Sequence, residues 1–497
     1  MVPTACHASN CRPCQMSIFP QLSIAFGRLT ACAVMVGGLW LMAGCATAPD
    51  RAPSPDIDLP AAWSRTVGQS APEPWLSDFE DPQLAELVGE ALRRNAELER
   101  VTALLGQRIA EAKIRGADLM PAADFGLNGA RQKINTFGPT STGGVIFENY
   151  ELSLNLSWEL DLWGRLRDRT SAALAEVELG QAELHGARLS LAAQVAKSWF
   201  NLAEATQQLA EAERTAAAYV ENQRSLEDRF QRGLTEGVDL RRIRTLAAGA
   251  AADVATRRRS LDAATRQLEQ ILGRYPGADL AAYPRLPDLP PPPPAGLPAE
   301  LIARRPDLVA AERRLAAAGE EVTASRKDLL PRLSLTSNAG TSSREFDDLL
   351  DGDFEVWALA GNLTQPIFQG GRLLAAIDRA ASLQDQARAA YRNAALQAFL
   401  EVETSLAAEN YLREQYAQVT IAADEANAAE AQLWERYRKG TADFLAALDA
   451  QRTAASARSR RISVRNALLQ NRIDLYLALG GPFAPEPGAE PTTTPDQ

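Results

Sequence analysis

Cysteine and histidine are almost missing from the working length of this chain. The 497 residues hold five cysteines and two histidines. They are Cys6, Cys11, Cys14, Cys32 and Cys45, with His7 and His185. Nothing beyond Cys45 can form a disulfide or a thiolate metal site, and zinc centres, Ser-His-Asp triads and Cys-His pairs lack their residues. Basic charge is short as well: 52 Lys and Arg face 63 Asp and Glu, for a formal charge of −11. So acidic a chain is a poor partner for a phosphate backbone, which removes nucleic acid from consideration. The carboxylates could in principle form a catalytic pair. They lie at regular helix-surface spacing with nothing convergent around them, so no catalytic residue, metal or cofactor is assigned and an enzyme is not expected.

Long apolar runs are scarce too. The stretch LTACAVMVGGLWLMAGC behind Arg28 is too short and too rich in small residues for a comfortable span, and reads as a targeting signal. It ends Leu41-Met42-Ala43-Gly44-Cys45, which resembles the bacterial lipoprotein signal, with Met42 where leucine is usual. The resemblance implies a signal peptide over 1–44, covalent lipid on Cys45 and, because Ala46 rather than Asp follows, delivery to the outer membrane. The alternative is an ordinary secretory peptide with an incidental cysteine. The start is open between Met1 and Met16. A form beginning at Cys45 loses Arg12 and Arg28 and carries −13.

What the chain does have is an internal repeat. NAELERVTALLGQRIAEAKIRGADLMP (95–121) corresponds to RPDLVAAERRLAAAGEEVTASRKDLLP (305–331) at an offset of roughly 210 residues. Further on the offset becomes about 207, with Gly164-Arg165 over Gly371-Arg372, Val195 over Val402 and Leu272-Gly273 over Leu479-Gly480. The joint is LPDLPPPPPAGLP, a stiff polyproline connector. Each repeat is expected to run as a helix (83–117, then 298–328), a Pro stop, two strands, a very long helix and a return helix. From Leu373 to Lys439 there is neither Gly nor Pro, enough for roughly 100 Å of helix. The two shorter helices together match that span, so they are expected to stack end to end beside it. Phe399, Val402 and Leu406, matched by Ala192, Val195 and Trp199, mark the expected seam. The layout is signal peptide 1–44, lipid-anchored extended segment 45–80, first repeat 81–285, connector 286–298, second repeat 299–481 and flexible tail 482–497.

Residues 150–162, YELSLNLSWELDL, alternate without a break. Tyr150, Leu152, Leu154, Leu156, Trp158, Leu160 and Leu162 take one side; Glu, Ser, Asn and Asp take the other. Thirteen extended residues, tilted about 40°, rise a little over 30 Å, the hydrocarbon thickness of a membrane. Apolar outside and polar inside is the pattern of a barrel wall with lipid facing Tyr150, Leu152, Leu154, Leu156 and Trp158. The companion strands are expected around Phe125 and Leu127, around Leu333 and Leu335, and over 354–368. Four strands cannot close a barrel, and open edges are not tolerated in lipid. Several chains must share one: a dimer gives eight strands, a trimer twelve, and periodicity does not choose.

LPAAW (59–63), FEDPQLAELVGEAL (79–92), SWELDLWGRLR (157–167), LPAELIARRPDL (297–308), LTQPIFQGGRL (363–373) and RYRKGTADFLAALDAQR (436–452) together resemble the TolC-like outer-membrane efflux family, in its lipid-anchored branch. The resemblance implies a mixed α/β membrane protein built as a homotrimer. Four strands per chain would contribute to a shared β-barrel in the outer membrane of a Gram-negative bacterium, and long helical hairpins would form a periplasmic α-barrel. It implies the exit duct of a tripartite pump, passing small toxic molecules and working with a periplasmic adaptor and an inner-membrane transporter. By the same resemblance the hairpin tips at Gly233 and Gly440 meet the adaptor, and Leu445, Asp449 and Arg452 form the periplasmic aperture. A second acidic residue, common one turn earlier in the family, is Ala446 here. A duct for secreted proteins is the nearest alternative. A coiled-coil adaptor is more remote, because it needs β-rich domains flanking a single hairpin.

If the strands are themselves the membrane anchor, Cys45→Ser should still reach and insert in the outer membrane as an oligomer. Membrane fractionation followed by gel analysis without heating checks this, and loss of the oligomer would show that lipidation drives assembly.

Overall fold

The computed structural model describes residues 75–135, 144–280, 286–291 and 298–481, with the isolated positions 49, 50, 52 and 63. Cys45, the signal, most of the expected 45–80 segment, the loop at 136–143 and the tail after 481 lie outside the described residues.

Each repeat opens with two helices where a single one is expected. A 3₁₀ turn, Trp75–Phe79, leads to α1 (Pro82–Arg94) and α2 (Ala96–Ala117). Asp81 accepts hydrogen bonds from the Gln83 and Leu84 amides, and Pro82 sits at the first helical position, where its missing donor costs nothing. Asn95 makes the break: its side chain accepts from Glu97 N and Leu98 N at 3.0 and 3.1 Å. Its amide also donates to Ile271 O at 2.9 Å. In the second repeat Arg305 is extended between α5 (Pro298–Arg304) and α6 (Pro306–Lys327), because a residue preceding proline avoids the helical region.

The long helices are α3 (Arg165–Gln231) and α7 (Arg372–Arg438), 67 residues each, or about 100 Å. The return helices are α4 (Gly237–Ile271) and α8 (Phe444–Ala478), 35 residues each. The end of α4 meets the break between α1 and α2 through the Asn95–Ile271 bond, and Arg274 there pairs with Glu90. In the second repeat Arg305 donates to Ala478 O at 3.0 Å. Each short pair is therefore stacked end to end beside a long helix. Across the bundle α3 packs on α2, α4, α6 and α8, while α7 packs on α6 and α8.

Between the helices of each repeat lie two strands, β1 (Ala122–Ile134) and β2 (Val145–Leu160), then β3 (Arg332–Ser343) and β4 (Glu355–Thr364). They form one antiparallel sheet in the order β1-β2-β3-β4. β2 starts earlier than the alternation at Tyr150 suggests and stops before Leu162. The Asp161 carboxylate turns away to accept from Leu166 N and Arg167 N, both at 3.0 Å, so that residue caps α3 instead of extending the strand. β4 likewise ends at Thr364, short of the expected 368, just ahead of Pro366, whose ring removes a ladder donor.

The main core gathers where α3, α8 and the first turn meet. Trp75 stacks on Tyr476 at 5.6 Å, Phe79 packs edge-on against Phe200 at 5.0 Å, and Trp199 donates its indole N–H to Asp81 at 2.8 Å. Ala192, Val195, Trp199, Val402 and Leu406 are all buried, with Phe399 half-buried. The Tyr476 hydroxyl, buried and donating to Asp78 at 2.5 Å, is pushed well above the usual phenol range.

The polyproline connector is fastened down. The fully buried Arg472 donates to Pro290 O at 2.7 Å, to Pro291 O, and to Glu409 at 2.5 Å. Arg465 holds Pro287 O at 2.8 Å and Asp288 at 2.6 Å. Burial works against the Glu409 charge, but the hydrogen bonds from Arg413 and Arg472 outweigh it and hold the carboxyl below its usual range. Arg472→Ala leaves that carboxylate buried with a partner missing and should cost about 3–5 kcal/mol. A carboxyl depressed in the folded state stabilises fully at neutral pH and loses that contribution as pH falls through the depressed value. The gap in melting temperature between wild type and variant, in detergent, should therefore be wide at neutral pH and narrow in acid.

Candidate functional site

Two regions carry the candidate chemistry: the sheet, and the far ends of the helical hairpins. In the sheet the observed register sorts residues by face. Phe125, Leu154, Ala339 and Trp357 align across all four strands, and so do Ala123, Leu156, Ser337 and Leu359. Leu127 sits beside Leu152, Trp158 beside Leu335, and Leu333 between Leu160 and Leu363. The opposite face holds Asp124, Asn155 and Asn338, then Asn128, Glu151 and Ser342. Tyr150, Leu152, Leu154, Leu156 and Trp158 thus share the apolar face, with Leu154 and Leu156 exposed and the others half-buried. Trp158 also donates to Leu119 O at 3.0 Å, tying the base of the sheet to the turn that follows α2. Among the described residues no strand lies beside the outer edges of β1 and β4, and every residue of β4 is exposed.

At the other end, Gly233 and Gly440 terminate α3 and α7 with φ of 73° and 74°. That left-handed turn strains any residue with a Cβ. It lets the Gly440 amide reach Tyr437 O and the Thr441 amide reach Arg436 O, both at 2.9 Å, satisfying the last carbonyls of α7. Both glycines are exposed with open space around them. Beneath them an aromatic knot joins the two hairpins. Trp434, Tyr437 and Phe444 pack with centroids 5.4 to 6.3 Å apart, and the Arg229 guanidinium lies 5.3 Å over the Tyr437 ring. Buried Tyr219, Leu226, Leu240 and Ile243 complete the cluster.

Leu445, Asp449 and Arg452 occupy one exposed stripe of α8. Asp449 accepts from Arg452 at 2.8 Å. With Tyr219, Arg241 and Arg242 they line a groove of about 450 Å³. At the corresponding place in the first hairpin the offset puts Arg242 where Asp449 stands. Asp443 is exposed at the start of α8 and makes no side-chain capping bond.

Between the main core and the aromatic knot, the seam of α3 with α8 is polar, which the sequence pattern alone does not reveal. Along α3 and α8, Gln470 donates to Lys197 O at 3.0 Å, Asn466 to Asn201 at 2.8 Å and Ser463 to Glu204 at 2.7 Å. Ser459 donates to Gln208 at 2.6 Å, Arg458 to Glu211 at 2.6 Å and Asn222 to Gln451 at 3.0 Å. Lys197, Asn201, Glu204, Gln208 and Glu211 recur at steps of four and three. That is the spacing of a coiled-coil seam, and a polar set at such spacing is easily taken for a solvated face. Among the described residues no helix is long and apolar enough to cross a membrane.

The sequence profile of the family described as Outer membrane efflux protein matches residues 87–274 and 297–481. The toluene efflux pump outer membrane protein TtgF of Pseudomonas putida is 31% identical over 457 residues, covering 88% of this chain and 94% of that one. The antibiotic efflux pump outer membrane protein ArpC of the same species is 32% identical over 463 residues, covering 90% and 95%. Among solved structures, the outer-membrane channel OprN superposes with a TM-score of 0.80 at 28% identity, covering 88% of this chain and all of that one. The open state of the MtrE outer membrane channel of Neisseria gonorrhoeae gives 0.79 at 30% identity, covering 88% and 98%.

The aromatic knot makes a local prediction. Phe444→Ala should remove about 3 kcal/mol of packing at the tips while leaving the sheet alone. Hydrogen exchange should quicken around 219–247 and 434–448 only; unchanged exchange there would show that Phe444 does not join the hairpins.

Proposed function

The chain belongs to the outer membrane efflux protein family, and from that membership we propose that it is the exit duct of a tripartite efflux pump, carrying small toxic molecules across the periplasm and outer membrane. The observation that supports this best is the union of a two-faced sheet with hairpins about 100 Å long. A sheet apolar on one side and polar on the other belongs between lipid and water. The ten residues of β4, tilted near 45°, rise roughly 24 Å, the height of the apolar band on such barrels. Three copies would give a twelve-stranded barrel, and the helices of three copies would continue it as a periplasmic α-barrel. The conduit is passive and needs no cofactor. Cys45 would carry the covalent lipid.

The pump's other parts would be a periplasmic adaptor, engaging the exposed tips at Gly233 and Gly440, and an inner-membrane transporter that chooses the cargo. The names of the relatives, one a toluene pump protein and one an antibiotic pump protein, favour small molecules over secreted proteins. The two-repeat layout, with 81–285 and 299–481 on either side of the connector, gives each copy two hairpins at the aperture. Leu445, Asp449 and Arg452 would line that aperture, where three Asp449 carboxylates near one axis would hold cations. Each is restrained by its own Arg452.

Asp449→Ala should raise single-channel conductance in planar bilayers and lower cation preference. Conductance and selectivity both equal to wild type would remove Asp449 from the aperture.

A further inference from the structure

The two β-hairpins repeat in register as well as in order. Shifting β1 by about 210 positions and β2 by about 207 carries the observed pair Ala122↔Ser157 onto the observed pair Arg332↔Thr364. It likewise carries Leu127↔Leu152 onto Ser337↔Leu359. The same shifts can be applied to the joint between the repeats, β2 against β3. They give a joint that one chain cannot make, β4 against the β1 of another copy.

In that transposition Asn155↔Asn338 becomes Asn362 opposite Asn128. Within the chain Asn338 donates its amide to the Asn155 side-chain oxygen at 2.8 Å, and asparagine stands at both transposed positions. The faces agree too: Leu156↔Ser337 becomes Leu363 opposite Leu127, both on the apolar face. Below the sheet, buried Arg165 lies 3.6 Å from buried Asp328, alongside nearer partners: Glu159 for Arg165, and Arg169 and Arg332 for Asp328. Their counterparts Arg372 and Asp118 keep the same residue types at the two outer edges, and both are exposed. The open edges therefore carry the asparagine pair, the apolar face and one Arg–Asp pair of the interior joint, while the nearer partners Glu159, Arg169 and Arg332 transpose to Pro366, Ala376 and Ala122.

We propose that β4 of one copy pairs antiparallel with β1 of the next in the register that sets Asn362 opposite Asn128, with Arg372 against Asp118 closing the joint beneath. The occupant of each open edge is a second copy of this chain, held as β3 is held by β2. A one-residue slip would turn every leucine of β4 to the polar side, and a two-residue slip would part the asparagines. The correspondence is confined to the sheet and its base. Along the helices Arg313 meets Glu178 at 2.9 Å, whereas the transposed positions hold Ala103 and Asp385.

The inference rests on the shared-barrel reading and adds its register. It is tested by cysteine pairs in the full chain, oxidised in outer membranes and run on non-reducing gels, with Asn155→Cys/Asn338→Cys as the intrachain control for geometry. Asn362→Cys/Asn128→Cys should shift the single-chain band to two- and three-chain species, while either single variant, or Asn362→Cys with Gly126→Cys or Ala130→Cys, should not. Linking by a displaced pair would overturn the register while leaving the shared barrel standing. So would no linking by Asn362→Cys/Asn128→Cys when the control closes and unheated samples still run as oligomers. Absence of any oligomer would overturn the shared barrel itself, and the register with it. For the lower contact, Arg372→Asp and Asp118→Arg should each weaken the unheated oligomer band and the double exchange restore it; failure to restore would remove that contact.

Discussion

Backbone amides and carbonyls that have nowhere to go are the constraint on which this molecule turns. β1 and β4 each present a row of unpaired groups along an outer edge, and the sheet they bound is coated with Phe, Leu and Trp on one face. In water such a sheet would aggregate through its edges; in lipid each bare group would cost several kcal/mol. Closure by further copies, as proposed, would satisfy both faces and both edges at once. Lone chains are, on this view, an assembly intermediate and not a working state.

Below the sheet the packing changes in kind. The helices bury Trp75, Trp199, Phe200 and Tyr476 in one cluster near the level where the short helices abut. Toward the tips α3 and α8 are joined by amides, hydroxyls and carboxylates instead. A seam of that kind fixes alignment more than it adds cohesion, because water can replace each bond at small net cost. The tightest apolar contact in the distal half is the aromatic knot around Phe444. The connector is part of the same solid, since Arg465 grips Pro287 and Asp288 and Arg472 grips Pro290 and Pro291.

Much of the fold was legible in the sequence for identifiable reasons. Strict alternation in 150–160, long runs free of Gly and Pro, and a constant offset between halves are signals that local physics cannot produce by accident. The split at Asn95 was not legible, since an asparagine inside a helical pattern reveals its capping role only when Ile271 O is seen across from it. Asp161 misled for a similar reason: it continues the polar rhythm of the strand, yet its carboxylate is claimed by the amides of α3. At the tips, the two turn glycines and the spacing of Asp449 and Arg452 could be read directly. The aromatic knot could not, because Trp434 and Phe444 meet only after the chain has reversed.

The duplication itself has a thermodynamic consequence. If the ring holds three copies, as proposed, single repeats would need six intermolecular joints where fused pairs need three, and each joint removed spares the loss of translational and rotational freedom that association exacts. Fusion also frees the two halves from being identical. In the proposed ring of three copies, a carboxylate at 449 in one hairpin and a guanidinium at 242 in the other would alternate in charge around the axis, a pattern that no assembly of six equal units can express.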